Sequence, residues 1–227
     1  MEQFCIDIAV KDKKEAEELV VVGDPVTYTD AFEEIRNGIA VSRGFDDKAG
    51  AFVVAEVLRQ IAGNRSSLSA AVFGVSTVQE EIGLRGATTA AHGVDPHVGI
   101  AVDVTHATDS PDMDKRKAGD VKLGGGPVIT RGPNVNPVVY DHLVAAAKKR
   151  DDGAFGYQLD AAPRGTGTDA NAIQLTRAGV AAGLVSIPLR YMHTTVEMAA
   201  LNDLEATSAL LADFCVGVRP DTSFVPE

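Results

Sequence analysis

The sequence is poor in cysteine, in aromatic residues and in long apolar runs. Its 227 residues include only two cysteines, Cys5 and Cys215, and neither stands in the CxxC spacing of a zinc knuckle or a redox pair. We therefore expect both thiols to be buried as small apolar side chains. No apolar run approaches the roughly 18 residues of a membrane-spanning helix, and the first residues lack the basic and apolar blocks of a secretory signal. These absences predict a cytoplasmic protein with no membrane partner.

Positive charge is also scarce. The chain has 21 basic against 32 acidic residues, which gives a net charge of −11. Such a surface repels a phosphate backbone, so nucleic acid is not an expected partner. The triple glycine at 124–126 is followed by neither Lys-Ser nor Lys-Thr, and it is therefore not a phosphate-binding P-loop.

What the sequence contains is an alternation of strand-like and helix-like segments, which is typical of an α/β fold. Two β-branched runs, residues 70–78 and 98–104, flank a glycine-bearing segment of helical character, and this order predicts a βαβ unit. Residues 45–64 form the clearest predicted helix, because apolar residues recur there every three or four positions. Other segments are predicted as strands at 127–131, 155–163 and 179–194, and as helices at 137–150 and 196–218.

Potential metal ligands stand where these elements begin or end. They are Asp46, Glu80, Glu81, Asp103 and His193. Since ligands of open α/β sheets bind beyond the carboxyl ends of the strands, we expect the five side chains to meet at one edge of the sheet. Buried carboxylates need a compensating charge, and an oxygen-rich set with one imidazole suits Zn²⁺, Mn²⁺ or Co²⁺. One of the two adjacent glutamates could then bind metal while the other acts on water.

Each of these residues also has a simpler explanation. Asp46 or its neighbour Asp47 could cap a helix. Glu80 and Glu81 could be a solvated charge pair, and His193 could be a hydrogen-bonded histidine of the core. Their joint placement is what favours a metal site, because unrelated surface acids would be scattered over helices and both edges of the sheet.

Five blocks of the sequence carry a family resemblance: FDDKAG, QEEIGLRGA, AVDVTHATD, GTDANAIQLTRAGV and IPLRYMHTTVE. In this order they resemble the dinuclear metallo-aminopeptidases of the glutamyl and tetrahedral aminopeptidase group, some of whose members have been labelled cellulases or endoglucanases. The resemblance implies a three-layer α/β fold with a mixed, mostly parallel sheet and helices on both faces. It also implies that residues 1–40 are the remnant of an inserted β-rich domain and that residues 41–227 are the catalytic domain.

The resemblance implies two divalent metal ions, zinc, cobalt or manganese, and assigns their ligands. Asp46 is similar to the carboxylate that bridges both ions, and its peptide bond to Asp47 is expected to be cis. Glu81 and His193 resemble the further ligands of one ion. Asp103 resembles a ligand of the other ion.

The same resemblance implies how a peptide would be handled. Glu80 is similar to the general base that deprotonates the attacking water and passes the proton to the leaving amine. Gly167, Thr168 and Asp169 resemble the substrate-side loop of the family, although these residues could equally form a helix cap.

The chain departs from the family at one ligand. Family members carry a further histidine, in a His-x-Asp motif on an early strand, beside the residue that Asp103 resembles. Here no histidine precedes His92. We therefore expect that the first strands of the catalytic domain are missing, that one metal site is weakened, and that a bare sheet edge invites pairing with another chain. His92, His97 or His106 could replace the absent ligand.

Three functions follow from these expectations. The first is a metallo-aminopeptidase that acts on peptides and, like its family, assembles as a homo-oligomer. The second is a truncated, impaired relative that binds at most one metal ion and serves as an assembly subunit. The third is a metal-dependent deacylase or carboxypeptidase of the same broad group, which the QEEIGLRGA and GTDA blocks fit less well.

Overall fold

Two units make up the computed structural model, residues 1–30 and residues 31–227. It describes residues 6, 8–29, 31–63, 65–111, 113–150 and 155–226. The described part of the first unit contains the helix α1 (Lys13–Leu19), whose amino end is capped by Asp12 accepting a hydrogen bond from the backbone of Glu15 at 3.0 Å. The domain boundary near residue 40 stays a prediction.

The second unit is built on one sheet. Its strands are β1 (Glu33–Glu34), β2 (Ile39–Ser42), β3 (Val98–His106), β4 (Val128–Arg131), β5 (Gln158–Ala161), β6 (Ala181–Arg190) and β7 (Glu197–Ala200). The strand order is β1-β2-β7-β6-β4-β5. In addition, β3 pairs over its whole length with β6, from Val98 opposite Ala181 to His106 opposite Leu189. The long strand β6 is therefore the centre of the sheet.

The predicted mixed α/β sheet is confirmed, but fewer strand pairs are parallel than expected. Among the described residues, β3 with β6 and β4 with β5 pair in parallel, whereas the other four pairings are antiparallel. One cause is the short connection 191–196 between β6 and β7, since a parallel neighbour would need a crossover of a dozen or more residues. The sequence analysis had placed Glu197–Ala200 in a helix, and the structure corrects this to a strand.

Helices lie on both faces of the sheet, as predicted. They are α2 (Phe45–Ala62), α3 (Arg85–Val94), α4 (Lys115–Ala118), α5 (Pro137–Arg150), α6 (Asp169–Ile173) and α7 (Leu201–Gly217). Alternate residues of β6 separate the two faces, because successive side chains of a strand point in opposite directions. Val185 and Ile187 pack in the main core with α2, α5 and α7, whereas Leu184 packs with Ala170 of α6.

Two further expectations concern single side chains and membranes. Cys215 is partly buried, and burial raises the pKa of its thiol to about 11. Cys5 lies outside the described residues. Within the described part of the chain, no helix has the length and apolar character to cross a membrane.

The predicted βαβ unit forms only in part. Its helix and second strand are α3 and β3, but residues 71–77 belong to no strand and pair with none of the described strands. A β-branched run forms a ladder only where a neighbouring strand completes its hydrogen bonds. The position of Asp103 also differs from the prediction, since β3 continues beyond it to His106.

The triple-glycine loop is fixed by a buried acid that the sequence analysis did not single out. Asp203 of α7 is fully buried, and its two carboxylate oxygens accept hydrogen bonds from the backbones of Gly124 at 2.7 Å and Gly126 at 2.8 Å. The side chain thus ties the loop before β4 to the last helix.

We predict that Asp203→Ala destabilises the fold, because it leaves two backbone N–H groups without their acceptor. The free energy of unfolding should fall by about 1–3 kcal/mol, mainly because the buried N–H of Gly126 loses its acceptor, as measured by urea denaturation. Asp221→Ala at an exposed position is the control and should change little. Equal stability of the Asp203 variant and the wild type would contradict this account.

Candidate metal centre

Three of the predicted ligands come together in space. The Nε2 atom of His193 lies 3.0 Å from Oδ2 of Asp46 and 3.6 Å from Oε2 of Glu81. One possible ligand atom from each residue lies within 4.8 Å of the other two. Asp46 forms the floor of the group, since its side chain is 11% exposed, whereas the Glu81 and His193 side chains are more than half exposed. Two carboxylates and one imidazole so placed fit a divalent cation.

Asp46 reaches this position because α2 does not begin regularly. Asp46 and Asp47 have non-helical backbone angles, and the peptide bond that joins them is cis, as the resemblance implied. Oδ1 of Asp47 accepts a hydrogen bond from the backbone of Gly50 at 2.8 Å. The capping role considered for either aspartate therefore belongs to Asp47, and Asp46 remains available to the site.

Glu197 holds two parts of the group together. It is 2% exposed, and its oxygens accept hydrogen bonds from the backbone N–H of His193 at 3.0 Å and of Asp46 at 3.2 Å. One buried carboxylate thus fixes the start of α2 against the β6–β7 turn. Sequence reasoning missed this role because it placed Glu197 in a helix, although the residue closes the IPLRYMHTTVE block.

Asp103 lies near this group without joining it. From the middle of β3 its Oδ1 accepts a hydrogen bond from the backbone of Val104 at 2.7 Å. The charge of Asp103 raises the pKa of the Asp47 carboxyl, and the charges of Glu80 and Asp46 in turn raise the pKa of Asp103. Among the described residues, His92, His97 and His106 enter no such ligand group.

Crowding of acids is the main electrostatic feature of the site. Burial, followed by the charge of Glu81, raises the pKa of Asp46 to about 6 and that of Glu80 to about 7. Burial also raises the pKa of Asp103 to about 7 and that of Asp47 to about 8, where Asp103 adds to the effect. Carboxyls in this state either hold protons or hold a cation, and a bound cation favours their charged forms.

The GTDA segment faces the same region. Thr168 stands at the start of α6 but makes no side-chain capping bond. Oδ2 of Asp169 accepts a hydrogen bond from the hydroxyl of Thr77 at 2.6 Å, whereas its Oδ1 is buried and has no hydrogen-bond partner among the described residues. The Asp169 charge also contributes to the raised pKa of Glu80. Gly167 precedes this pair with a φ of +75°.

Comparison with known proteins identifies the family. A family model described as M42 glutamyl aminopeptidase matches residues 1–210. The chain belongs to the M42 family. The resemblance seen in the sequence is thereby confirmed.

Individual M42 relatives agree with this assignment. The lysyl aminopeptidase of Pyrococcus furiosus is 36% identical over 220 residues, which are 96% of this chain and 61% of that protein. A putative aminopeptidase of Acetivibrio thermocellus is 34% identical and is matched over 94% of this chain and 62% of its own length. The chain therefore spans about three fifths of the length of these M42 relatives.

Solved M42 structures share the fold. A TET aminopeptidase from a marine sediment Thaumarchaeota archaeon superposes with a TM-score of 0.86 at 34% identity, covering 95% of this chain and 60% of that one. A Thermotoga maritima structure described as an endoglucanase superposes with a TM-score of 0.62 at 29% identity, covering 89% and 57%. The expectation that some relatives carry an endoglucanase label is confirmed.

The raised carboxyl pKa values predict how stability depends on pH without metal. The folded-state pKa values of about 6 to 8 exceed the ordinary values of 3.8 for Asp and 4.5 for Glu. In the pH range between the ordinary and the folded-state values, the folded protein therefore binds more protons than the unfolded chain. The free energy of unfolding in EDTA should therefore fall as pH rises from about 4 to about 8. Urea denaturation at several pH values measures it, and a rise over this window would contradict the prediction.

Glu197→Gln should loosen the ligand group while leaving its three members in place. An amide has only one oxygen to accept hydrogen bonds, so one of the two backbone contacts is lost. Residues that orient metal ligands typically contribute roughly 10–100-fold in affinity, and we expect a loss of that size for Co²⁺ in calorimetric titrations. Glu205→Gln on an exposed face of α7 is the control. Unchanged affinity in a folded Glu197 variant would refute the positioning role.

Proposed function

We propose that this chain carries the hydrolytic centre of an M42 aminopeptidase, which removes amino-terminal residues from peptides through a dinuclear metal site. The observation that carries the proposal is the convergence of Asp46, Glu81 and His193, with Glu80 next in sequence, in a chain of this family. Asp46, Glu81 and His193 would hold one ion, and Asp46 with Asp103 would hold the other. Zinc, cobalt and manganese suit these donors.

The chemistry divides between the ions and the chain. Divalent ions bound here would supply Lewis acidity, which polarises the scissile carbonyl and acidifies water. Glu80 would take a proton from the attacking water and deliver it to the leaving amine. Without metal, burial and then the charge of Glu81 raise the pKa of Glu80 to about 7. Bound cations would lower it and favour the carboxylate form that accepts the proton.

Asp169 would bind the positive amino terminus of the peptide. Its buried Oδ1 lacks a partner among the described residues, while Thr77 fixes the other oxygen. An ammonium group donates the hydrogen bond that this atom lacks and adds a charge-assisted contact. The acidic surroundings of Glu80 and Asp103 favour the same charge. Gly167 and Thr168 would shape the loop that presents Asp169.

Partners are proposed from the relatives. A Pyrococcus horikoshii TET1 peptidase, 26% identical with a TM-score of 0.70, assembles into a tetrahedron or a large octahedral shell. We infer that the protein containing this chain acts on peptides and associates with copies of itself. The expected cytoplasmic location stays a prediction.

A second candidate function is an impaired relative that holds at most one ion and serves in assembly. One observation favours it: none of the described histidines joins Asp103 in a ligand group. An ion held by Asp46 and Asp103 alone would bind weakly. The deacylase or carboxypeptidase alternative has less support, since the named relatives are aminopeptidases.

Glu80→Gln separates the two candidates. The variant removes the base but none of the proposed ligands, so turnover of amino-acid p-nitroanilides with Co²⁺ or Zn²⁺ should fall by about 10²–10⁴-fold while metal binding persists. Glu205→Gln is again the matched control. Absence of turnover in the wild type with any ion would instead favour the impaired relative.

Asp169→Asn tests the amino-terminal contact. The loss of a charged partner should raise KM for peptides with a free amino terminus by about tenfold or more, while kcat changes less. Thr77→Val keeps the carboxylate and should have a smaller effect. A fall of kcat by about tenfold, with KM unchanged, would contradict a ground-state contact between Asp169 and the ammonium group.

A further inference from the structure

We propose that Asn134 is a positioning residue for the amino-terminal contact, because it fixes, through Thr166, the loop that presents Asp169. The inference rests on the proposed function, since it takes Asp169 as the partner of the peptide's ammonium group. Asn134 lies in the connection between β4 and α5 and belongs to none of the five blocks that carry the family resemblance. It therefore adds to the site a residue from a segment that the site has not so far included.

The loops that follow β4 and β5 lie side by side, because these two strands pair in parallel. The backbone N–H of Ala162 donates a hydrogen bond to the carbonyl oxygen of Arg131 at 2.8 Å. A Cβ atom on Gly132 would lie 3.0 Å from the carbonyl oxygen of Ala162. The two backbones thus approach closely enough for a side chain of one loop to bind the other.

Three side chains form a hydrogen-bonded chain from the first loop to the second. Nδ2 of Asn134 donates to Oγ1 of Thr166 at 2.9 Å, and the hydroxyl oxygens of Thr166 and Thr168 lie 2.8 Å apart. The Thr168 hydroxyl is directed to Thr166 and makes no capping bond to α6. Because Asp169 follows Thr168 directly, the chain ends at the residue proposed to bind the ammonium group.

The backbone around Asp169 is held on both sides. The N–H of Asn171 donates to the carbonyl oxygen of Thr168 at 2.9 Å. Ala170 is fully buried and packs in one apolar cluster with Val135, the residue after the asparagine. A shift of the first loop would therefore be transmitted to the position of the Asp169 carboxylate.

Asn134 is poorly suited to a role in packing alone. It is 4% exposed, and its Oδ1 is buried without a hydrogen-bond partner among the described residues. Within the same part of the chain, Oδ1 of Asp169 is the one other buried side-chain atom in this condition. Apolar groups of the same shape can replace a hydrogen-bonded pair with little loss of stability. The main effect of Asn134 is therefore orientation of the loop rather than stabilisation of the fold.

Two variants remove the chain with little change in side-chain size, Asn134→Leu and Thr166→Val. With amino-acid p-nitroanilides and Co²⁺, each should raise KM by roughly three- to tenfold, while kcat and the affinity for Co²⁺ change by less than about twofold. Thr166→Ser restores the hydroxyl and should bring KM back to within about twofold of the wild type. If Asn134→Leu does not fold, Thr166→Val and its serine counterpart carry the test. Thr89→Val, at an exposed position of α3, is the matched control.

A double-mutant cycle separates positioning from a general loss of structure. If the chain acts through Asp169, Thr166→Val should change KM by less than about twofold in the Asp169→Asn background. Effects of the two substitutions that multiply would overturn the inference. A Thr166→Ser enzyme as impaired as Thr166→Val would also overturn it, because the hydroxyl would then not be the group that matters.

Failure of the inference differs from failure of the proposed function. A wild type without turnover, or an Asp169→Asn enzyme with unchanged KM, would overturn the amino-terminal contact and this inference with it. An active enzyme whose KM responds to Asp169→Asn but not to Thr166→Val or Asn134→Leu would overturn the inference alone.

Discussion

Repulsion among carboxylates in a partly buried space is the constraint on which the centre depends. Asp46, Asp47, Glu80 and Asp103 all have pKa values raised by burial, and neighbouring negative charges raise them further. In a medium of lowered dielectric, such a group is stable only when it is protonated or when a cation neutralises it. The protein thus concentrates negative charge in this space, and the carboxylates together with the imidazole of His193 form a group that a divalent ion would neutralise.

The fold supplies this arrangement through irregular backbone at two places. The interrupted start of α2 presents Asp46, and the β6–β7 turn presents His193, whose φ is +62°. Glu197 joins them through hydrogen bonds to both backbones. Neither placement depends on the long loops, since α2 packs against the sheet and β6 is central in it. The ligand group is consequently set by the core of the second unit.

Sequence reasoning recovered the elements whose patterns are local. The helix α2 and the strand β6 begin and end close to their predicted bounds. The family's blocks contain Asp46, Glu81 and His193, whose side chains the fold brings together. It failed where partners distant in sequence decide the outcome. Residues 71–77 have a strand composition, but none of the described strands pairs with them, whereas β7 forms because β2 and β6 pair with it. Glu197 escaped notice for the same reason, as its two hydrogen-bond partners become visible only in the fold.

The central claim is that Asp46, Glu81 and His193 bind a divalent ion. Crystals grown with Co²⁺ and measured at the cobalt absorption edge test it most directly. We expect an anomalous peak with carboxylate and imidazole atoms at about 2.0–2.2 Å, and a second, weaker peak between Asp46 and Asp103. Ordered side chains around an empty site at saturating Co²⁺, or a peak bound only by other residues, would contradict the account.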